Sequence, residues 1–212
     1  MYLPSHFRED RPEVLRALMD AYPLAALISS GASGLVANHV PLLFDPSEGV
    51  HGVLRGHLAR GNNQWRELAA GEVLVIFQGP QAYISPAWYP TKQETGKAVP
   101  TWNYATVHAW GPVEVYEDRA RLRAFLGLLT ERHEEARPNP WSVTDAPADY
   151  IDGLLGAIVG IEVRITRIEG KWKVSQNQPD RNRQGVATGL EAESGSSGVA
   201  MASLVLRNNG VS

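Results

Sequence analysis

From residue 24 to about 117 the chain repeats one pattern: apolar or alternating runs, each closed by Gly, Pro, Asn or Asp, with connections mostly too short to hold a crossover helix. Tight connections of this kind join antiparallel neighbours, because parallel ones need a dozen residues or more to return. The pattern predicts strands at 24–30, 35–44, 50–58, 72–78 (resuming at 81–85 after Gly79-Pro80), 99–110 and 112–117, the last two as partners. A final hairpin is expected from Ile161, Val163, Ile165 and Ile168 to Trp172 and Val174, turning at Glu169-Gly170.

Helices flank this β-rich stretch. Asp10 can cap a first one, with Pro12 in its opening turn and Val14, Leu15, Leu18, Ala21 and Tyr22 at helical spacing. A short helix is expected over 62–70, opened by Asn62 and closed by Gly71. A longer one follows Asp118 with Leu122, Phe125, Leu126 and Leu129 on one face, and another carries Tyr150, Ile151, Leu154, Leu155 and Ile158. Strands outnumber helices and βαβ alternation is scarce, so the fold class is α+β, mainly β: an antiparallel β-barrel with flanking helices. Residues 1–190 are read as the domain. Residues 191–212, with Gly and Ser over 193–198, are read as a flexible or weakly ordered tail.

Composition removes several function classes. The 212 residues contain no cysteine, which excludes disulfides, thiolate nucleophiles and thiolate metal sites. A formal charge of −3 without a Lys/Arg run argues against a dedicated nucleic-acid module. No apolar run suits a membrane helix and the first residues lack a secretory pattern, so a cytoplasmic protein is expected. Phosphate-loop, dinucleotide-fold and His-Glu-x-x-His patterns are missing, and Ser33 misses nucleophile-elbow spacing by one residue.

Two clusters carry the remaining chemistry. Around Arg55 to Trp65, the chain brings His57, Arg60 and Asn62 to a strand-to-helix junction. Free amides there and a guanidinium suit a phosphate; an ordinary capped helix with a surface arginine would look the same. The second cluster places Tyr83, Trp88, Tyr89, Trp102, Tyr104 and Trp110 among Thr101, Asn103, His108, Ser175 and Asn177. Rings beside polar groups can line a planar cofactor, or simply form a barrel core. His39, His51 and His57 form a weaker metal pattern, His51 and His57 facing one way only if their strand is unbroken; no metal site is assigned.

Together the segments Met1-Tyr2-Leu3-Pro4-Ser5-His6-Phe7, His39-Val40-Pro41-Leu42, Gly56-His57-Leu58-Ala59-Arg60, Gly79 through Tyr89, Val99 through Tyr104 and Lys173-Val174-Ser175-Gln176-Asn177 resemble the PaiB-type FMN-binding negative transcriptional regulators. The resemblance covers roughly residues 1–190 and implies the split β-barrel of pyridoxamine-phosphate-oxidase-like flavoproteins, with FMN bound in a cleft of a homodimer. By analogy it assigns His57, Arg60 and Asn62 to the phosphate end, with Lys92 or Lys97 as helpers, and Trp102, Asn103, Ser175 and Asn177 to the ribityl and ring region. Where the family pattern has Asn-Pro before Gln-Trp, this chain has Asn62-Asn63, which restores an amide at the first turn.

The resemblance implies a protein linked to negative regulation of transcription. A flavin-dependent oxidoreductase acting on a small molecule, with NAD(P)H as partner, is the second expectation. A non-catalytic sensor of flavin, haem or another planar ligand is the third. No acid, base or nucleophile pair names a substrate, and the arginines at 119, 121, 123 and 132 are the best candidates for DNA phosphates, opposed by Glu131, Glu134 and Glu135.

Overall fold

The computed structural model describes residues 1–32, 34–193 and 195–207. Its elements in order are β1 (Arg8–Glu9), α1 (Pro12–Ala21), β2 (Leu24–Gly31), β3 (Gly34–Pro41), β4 (Leu43–Asp45), β5 (Val53–Ala59), β6 (Glu72–Ile84), α2 (Pro90–Thr95), β7 (Thr101–Tyr116), α3 (Arg119–Glu134), α4 (Ala148–Leu155), β8 (Ile158–Arg164), β9 (Arg167–Lys173), α5 (Asp180–Glu193) and α6 (Gly195–Arg207). Among the described residues nine strands form one sheet, hydrogen-bonded in the order β3-β2-β6-β7-β8-β5-β4, with β9 bonded to β7 and β1 to β9. The β2–β3, β2–β6, β4–β5, β5–β8 and β7–β8 registers are antiparallel.

Two units divide the chain: residues 1–22, 77–108 and 169–212 in the first, 23–76 and 109–168 in the second. Strands β6 and β7 run through both. Each was expected to break at a glycine-proline pair, and each continues instead. A Cβ on Gly79 would lie 2.8 Å from the Leu18 side chain and 3.2 Å from the Ala105 carbonyl oxygen, and one on Gly111 would lie 1.9 Å from the Arg164 carbonyl oxygen. These glycines therefore let neighbouring chain approach closely and do not turn the strand. The predicted pairing of 99–110 with 112–117 is replaced by one strand of 16 residues.

In the second unit β2 buries Ala25, Leu27 and Ser29 in alternation, as a half-buried strand should. It pairs with β3 up to Gly31↔Gly34, where Gly34 has φ +91. That positive φ suits the tight reversal, which costs a glycine least. Asp118 caps α3 by accepting from the Arg121 amide, as expected, and Leu122 packs with Tyr116, Ile151 and Leu155. Ile158 belongs to β8 and not to α4; Tyr150 and Leu154 are exposed.

Other expectations are corrected. Asp10 does not cap α1, whose preceding residue is Arg11 and which has no side-chain cap. The helix expected at 62–70 is two 3-10 turns, Asn63–Arg66 and Leu68–Ala70. Glu169-Gly170 lie inside β9, so no hairpin turns there: β8 bonds to β5 and β7, and β9 to β1 and β7. Residues 195–207, expected to be linker and weak tail, form α6, burying Gly198, Met201, Ala202 and Val205; Val186, Ala187, Gly189 and Leu190 are buried on α5. Small residues on both helices permit this close packing. The buried guanidinium of Arg183 supplies the rest, donating to the Val205 carbonyl at 2.9 Å near the end of α6, where helical carbonyls lack intrahelical partners. Ser33, Ser194 and residues 208–212 of the predicted tail lie outside the described residues.

Candidate functional site

The predicted residues fall into two sets. His57, Arg60 and Asn62 belong to the second unit; Lys92, Lys97, Trp102, Asn103, Ser175 and Asn177 belong to the first. In the second unit β5 carries His57 on the face that also presents Arg55, and ends just before Arg60. The Arg60 guanidinium donates to the Gly156 carbonyl at 2.7 Å, to the Ile158 carbonyl at 3.2 Å and to the Glu117 carboxylate. Asn62 accepts from the Gln64 amide at 3.0 Å and caps the 3-10 turn. Gln64, which sequence reasoning passed over, is buried and donates to the Leu27 carbonyl and the Ser29 hydroxyl, tying this turn to β2.

The ring of His57 meets Phe125 of α3 edge-on at 5.9 Å, and its Nδ1 is buried without a hydrogen-bond partner. Burial holds its pKa below the ordinary histidine value. The same is true in mirror image of Tyr116, whose buried hydroxyl also lacks a partner and whose pKa burial raises. Both residues are paired in register with Gly160, and a Cβ there would lie 2.3 Å from the Tyr116 ring. His51 precedes β5 in a turn, so the premise that it shares an unbroken strand with His57 fails. Among the described residues no three His, Cys, Asp or Glu side chains form a metal-holding group.

The first unit contains a pocket of about 250 Å³ lined by Lys97, Asn103, Ser175 and Asn177, four of the predicted residues, together with Phe7, Tyr89, Thr91, Thr101, Lys173, Gln178 and Asn182 among others. Its floor is a buried polar pair: the Asn103 amide donates to the Ser175 hydroxyl at 2.8 Å. Ser175 is held at φ +63, the one described non-glycine residue in the left-handed region. Such a conformation persists only where neighbours over-determine it. Burial also pushes the Tyr89 phenol up, with a hydrogen bond to Ser175 acting the other way.

Lys173 was quoted in the family segments without a role, and it supplies the pocket's most distinctive group. Its ammonium donates to the Thr101 hydroxyl at 2.5 Å and the Trp102 carbonyl at 2.8 Å. Burial lowers its pKa, and the charges acting on it are Tyr104 and Lys171. Trp102 lies outside the pocket lining; the residue is 54% exposed, and its ring is edge-on at 6.2 Å to that of Tyr83, a residue 49% exposed. Lys92 is exposed on α2 and does not line the pocket.

One wall of the pocket rests on α5. Asn182 accepts from the Thr91 amide at 3.3 Å and donates to Gln178 at 3.0 Å. Gly185 and Gly189 receive the Trp88 backbone and ring, leaving no room for a Cβ. The glycine spacing of four was visible in the sequence, but its partner was not.

Three of the four arginines offered for DNA phosphates are engaged by carboxylates. Arg119 and Arg123 meet Asp152, and Arg121 meets Glu114 and Glu162. This face of α3 is a mixed-charge surface and not a basic one.

An antiparallel sheet of this order with flanking helices is a fold the chain shares with solved structures of low sequence identity. The FAD and haem binding protein from Mycobacterium smegmatis superposes with a TM-score of 0.55 at 19% identity, over 78% of this chain and 73% of that one. Within that fold the chain belongs to the PaiB-type FMN-binding family: residues 1–167 match the family described as "Putative FMN-binding domain". The protease synthase and sporulation protein PAI 2 of Bacillus subtilis (strain 168) is 32% identical over 206 residues, covering 97% of this chain and 96% of that protein. An uncharacterized protein of Emericella nidulans is 34% identical over 242 residues, covering 97% of this chain and 96% of that protein.

Proposed function

We propose that the chain is a homodimeric FMN-binding protein, located in the cytoplasm and linked to negative regulation of transcription. The observation that carries the flavin reading is the match of residues 1–167 to the FMN-binding family. The site chemistry supports it. The exposed Trp102 and Tyr83 rings offer a surface on which a planar ring can stack, and Asn103, Ser175, Asn177 and Lys97 offer polar contacts in the pocket. Exposed rings of this size also favour a second copy of the chain as a neighbour.

His57, Arg60 and Asn62 are assigned to the phosphate end by family analogy. Arg60 can take up a phosphate by exchanging Glu117, because their side chains are 38% and 54% exposed and such surface pairs are worth only about 0–1 kcal/mol. Asn62 already presents its cap at the same junction, and His57 lies just before it on β5. A bound flavin would supply hydride or electron transfer, while the residues named here bind and orient it.

The regulatory role is read from family membership. Direct contact with DNA through α3 draws no support from its arginines, so regulation by way of the bound flavin or its small-molecule partner is favoured.

The test is a titration with FMN, followed by flavin fluorescence, with riboflavin as the control lacking phosphate and FAD and haem alongside. FMN should bind more tightly than riboflavin, and Arg60→Gln should remove roughly tenfold or more of that preference. Absence of binding by every flavin would refute the reading, and a preference unchanged by Arg60→Gln would remove Arg60 from the site.

A further inference from the structure

The pocket of the first unit has an unusual charge composition for this protein. It holds two lysines, Lys97 and Lys173, and none of its lining residues is acidic. Among the described residues no ion pair joins either lysine to a carboxylate. An ammonium has three donors. Lys173 spends two on Thr101 and Trp102, which fix it in place and leave one for a ligand. A partly desolvated cation with a spare donor attracts an anion more strongly than a solvated one, because little water competes for the bond.

Size narrows the ligand. At about 250 Å³ the cavity falls below the roughly 300–1,000 Å³ of sites that engulf a drug-sized molecule, so it takes one small group and not a whole flavin. The hydroxyl of Thr101, which accepts from Lys173 and keeps its own proton, and the amides of Asn177 and Gln178 supply the neutral donors that an oxyanion needs beside its cation. Ser175, strained at φ +63, holds the Asn103 amide in the floor.

We propose that this pocket is an oxyanion site anchored by Lys173, seating a phosphate-type group. That group is either the head of a separate small anion, with the flavin phosphate on Arg60 as proposed above, or the flavin's own phosphate, in which case this pocket replaces Arg60 as the phosphate end. The inference deepens the flavin reading by naming the chemistry that enters this pocket, and its test separates the two.

Inorganic phosphate is titrated calorimetrically into the full chain, alone and after saturation with FMN or with riboflavin. Wild type is expected to bind one phosphate per chain. Lys173→Gln should weaken that binding roughly tenfold or more, and Lys173→Arg should restore most of it, since a charge-assisted hydrogen bond is lost and regained. Arg16→Gln, a charge-matched change on exposed α1, should leave it unaltered. Asn177→Asp provides an independent check should Lys173→Gln fail to fold: Asn177 is exposed, so the chain should fold, and an acid in the pocket should weaken phosphate roughly tenfold by repulsion.

Displacement of phosphate by FMN but not riboflavin supports the site and identifies the flavin phosphate as its occupant. Simultaneous binding of FMN and phosphate supports it and identifies a separate anion. No phosphate binding by wild type, or binding indifferent to both Lys173→Gln and Asn177→Asp, overturns the proposal even if FMN binds. Phosphate binding without any flavin binding leaves the oxyanion site standing and removes the flavin reading.

Discussion

The charged face of the second unit and the pocket of the first use cations in opposite ways. Arg55 meets Asp45, Glu48 and Glu162, while Arg121 shares Glu162 and holds Glu114. Asp45 is held at a pKa of about 2 chiefly by hydrogen bonds from Ser47, with Arg55 adding to them. In the pocket, Lys97 and Lys173 have no acid beside them. A cation that already holds carboxylates must give them up to bind a ligand, whereas one held by a hydroxyl and a carbonyl need not. Counting basic residues therefore says little about binding, and the acids around them say more.

That contrast can be broken at three points. The largest effect is expected at Glu162, whose side chain is 9% exposed and accepts from Arg55 and Arg121, each at 2.9 Å. Glu162→Ala leaves two guanidinium groups short of a partner and should cost about 3 kcal/mol in urea unfolding, the low end for breaking a buried pair. A loss below about 1 kcal/mol would mean that Asp45, Glu48 and Glu114 re-pair the arginines, and that the face is redundant.

An intermediate effect is expected where α5 supports the pocket. Gly185→Ala would set a Cβ 2.1 Å from the Trp88 carbonyl oxygen, against backbone that cannot swing away. Thermal unfolding should show about 2 kcal/mol of destabilisation, as for other overpacked sites, and the phosphate titration should weaken because the segment carrying Tyr89 and Thr91 is displaced. Unchanged stability would show that this contact yields without strain.

The smallest effect on stability is expected at Arg60. Arg60→Gln removes an exposed pair with Glu117 and should cost under about 1 kcal/mol by the same unfolding assay. A larger loss would show that its bonds to the Gly156 and Ile158 carbonyls fasten β8 to the end of β5, making Arg60 a structural brace.

Much of the architecture was legible because it depends on local pattern. Alternation in β2, the Asp118 cap and the apolar face around Leu122 are all readable within a few residues. The errors share a physical cause. Gly79-Pro80 and Gly111-Pro112 have the composition of turns, yet the glycines admit Leu18 and Arg164, contacts made by chain 61 and 53 residues away in sequence. Residues 193–198 have the composition of a linker and 199–206 that of a weak apolar end, yet 195–207 are helical where α5 offers Val186 and Leu190 and Arg183 meets the Val205 carbonyl. Tertiary packing overrides local propensity in both cases.

The candidate site divides along the same line. Motifs and spacing alone carry the family, the antiparallel character of the sheet and the residue types from which a phosphate and ring site could be assembled. Folding is what engages Arg60 with Glu117, buries a His57 nitrogen beneath α3 and brings Lys173 together with Asn103 and Ser175 in a pocket without acids. The reason is that availability is a property of neighbours: whether a cation is free for a ligand depends on which carboxylates and carbonyls folding brings to it, and those come from distant parts of the chain.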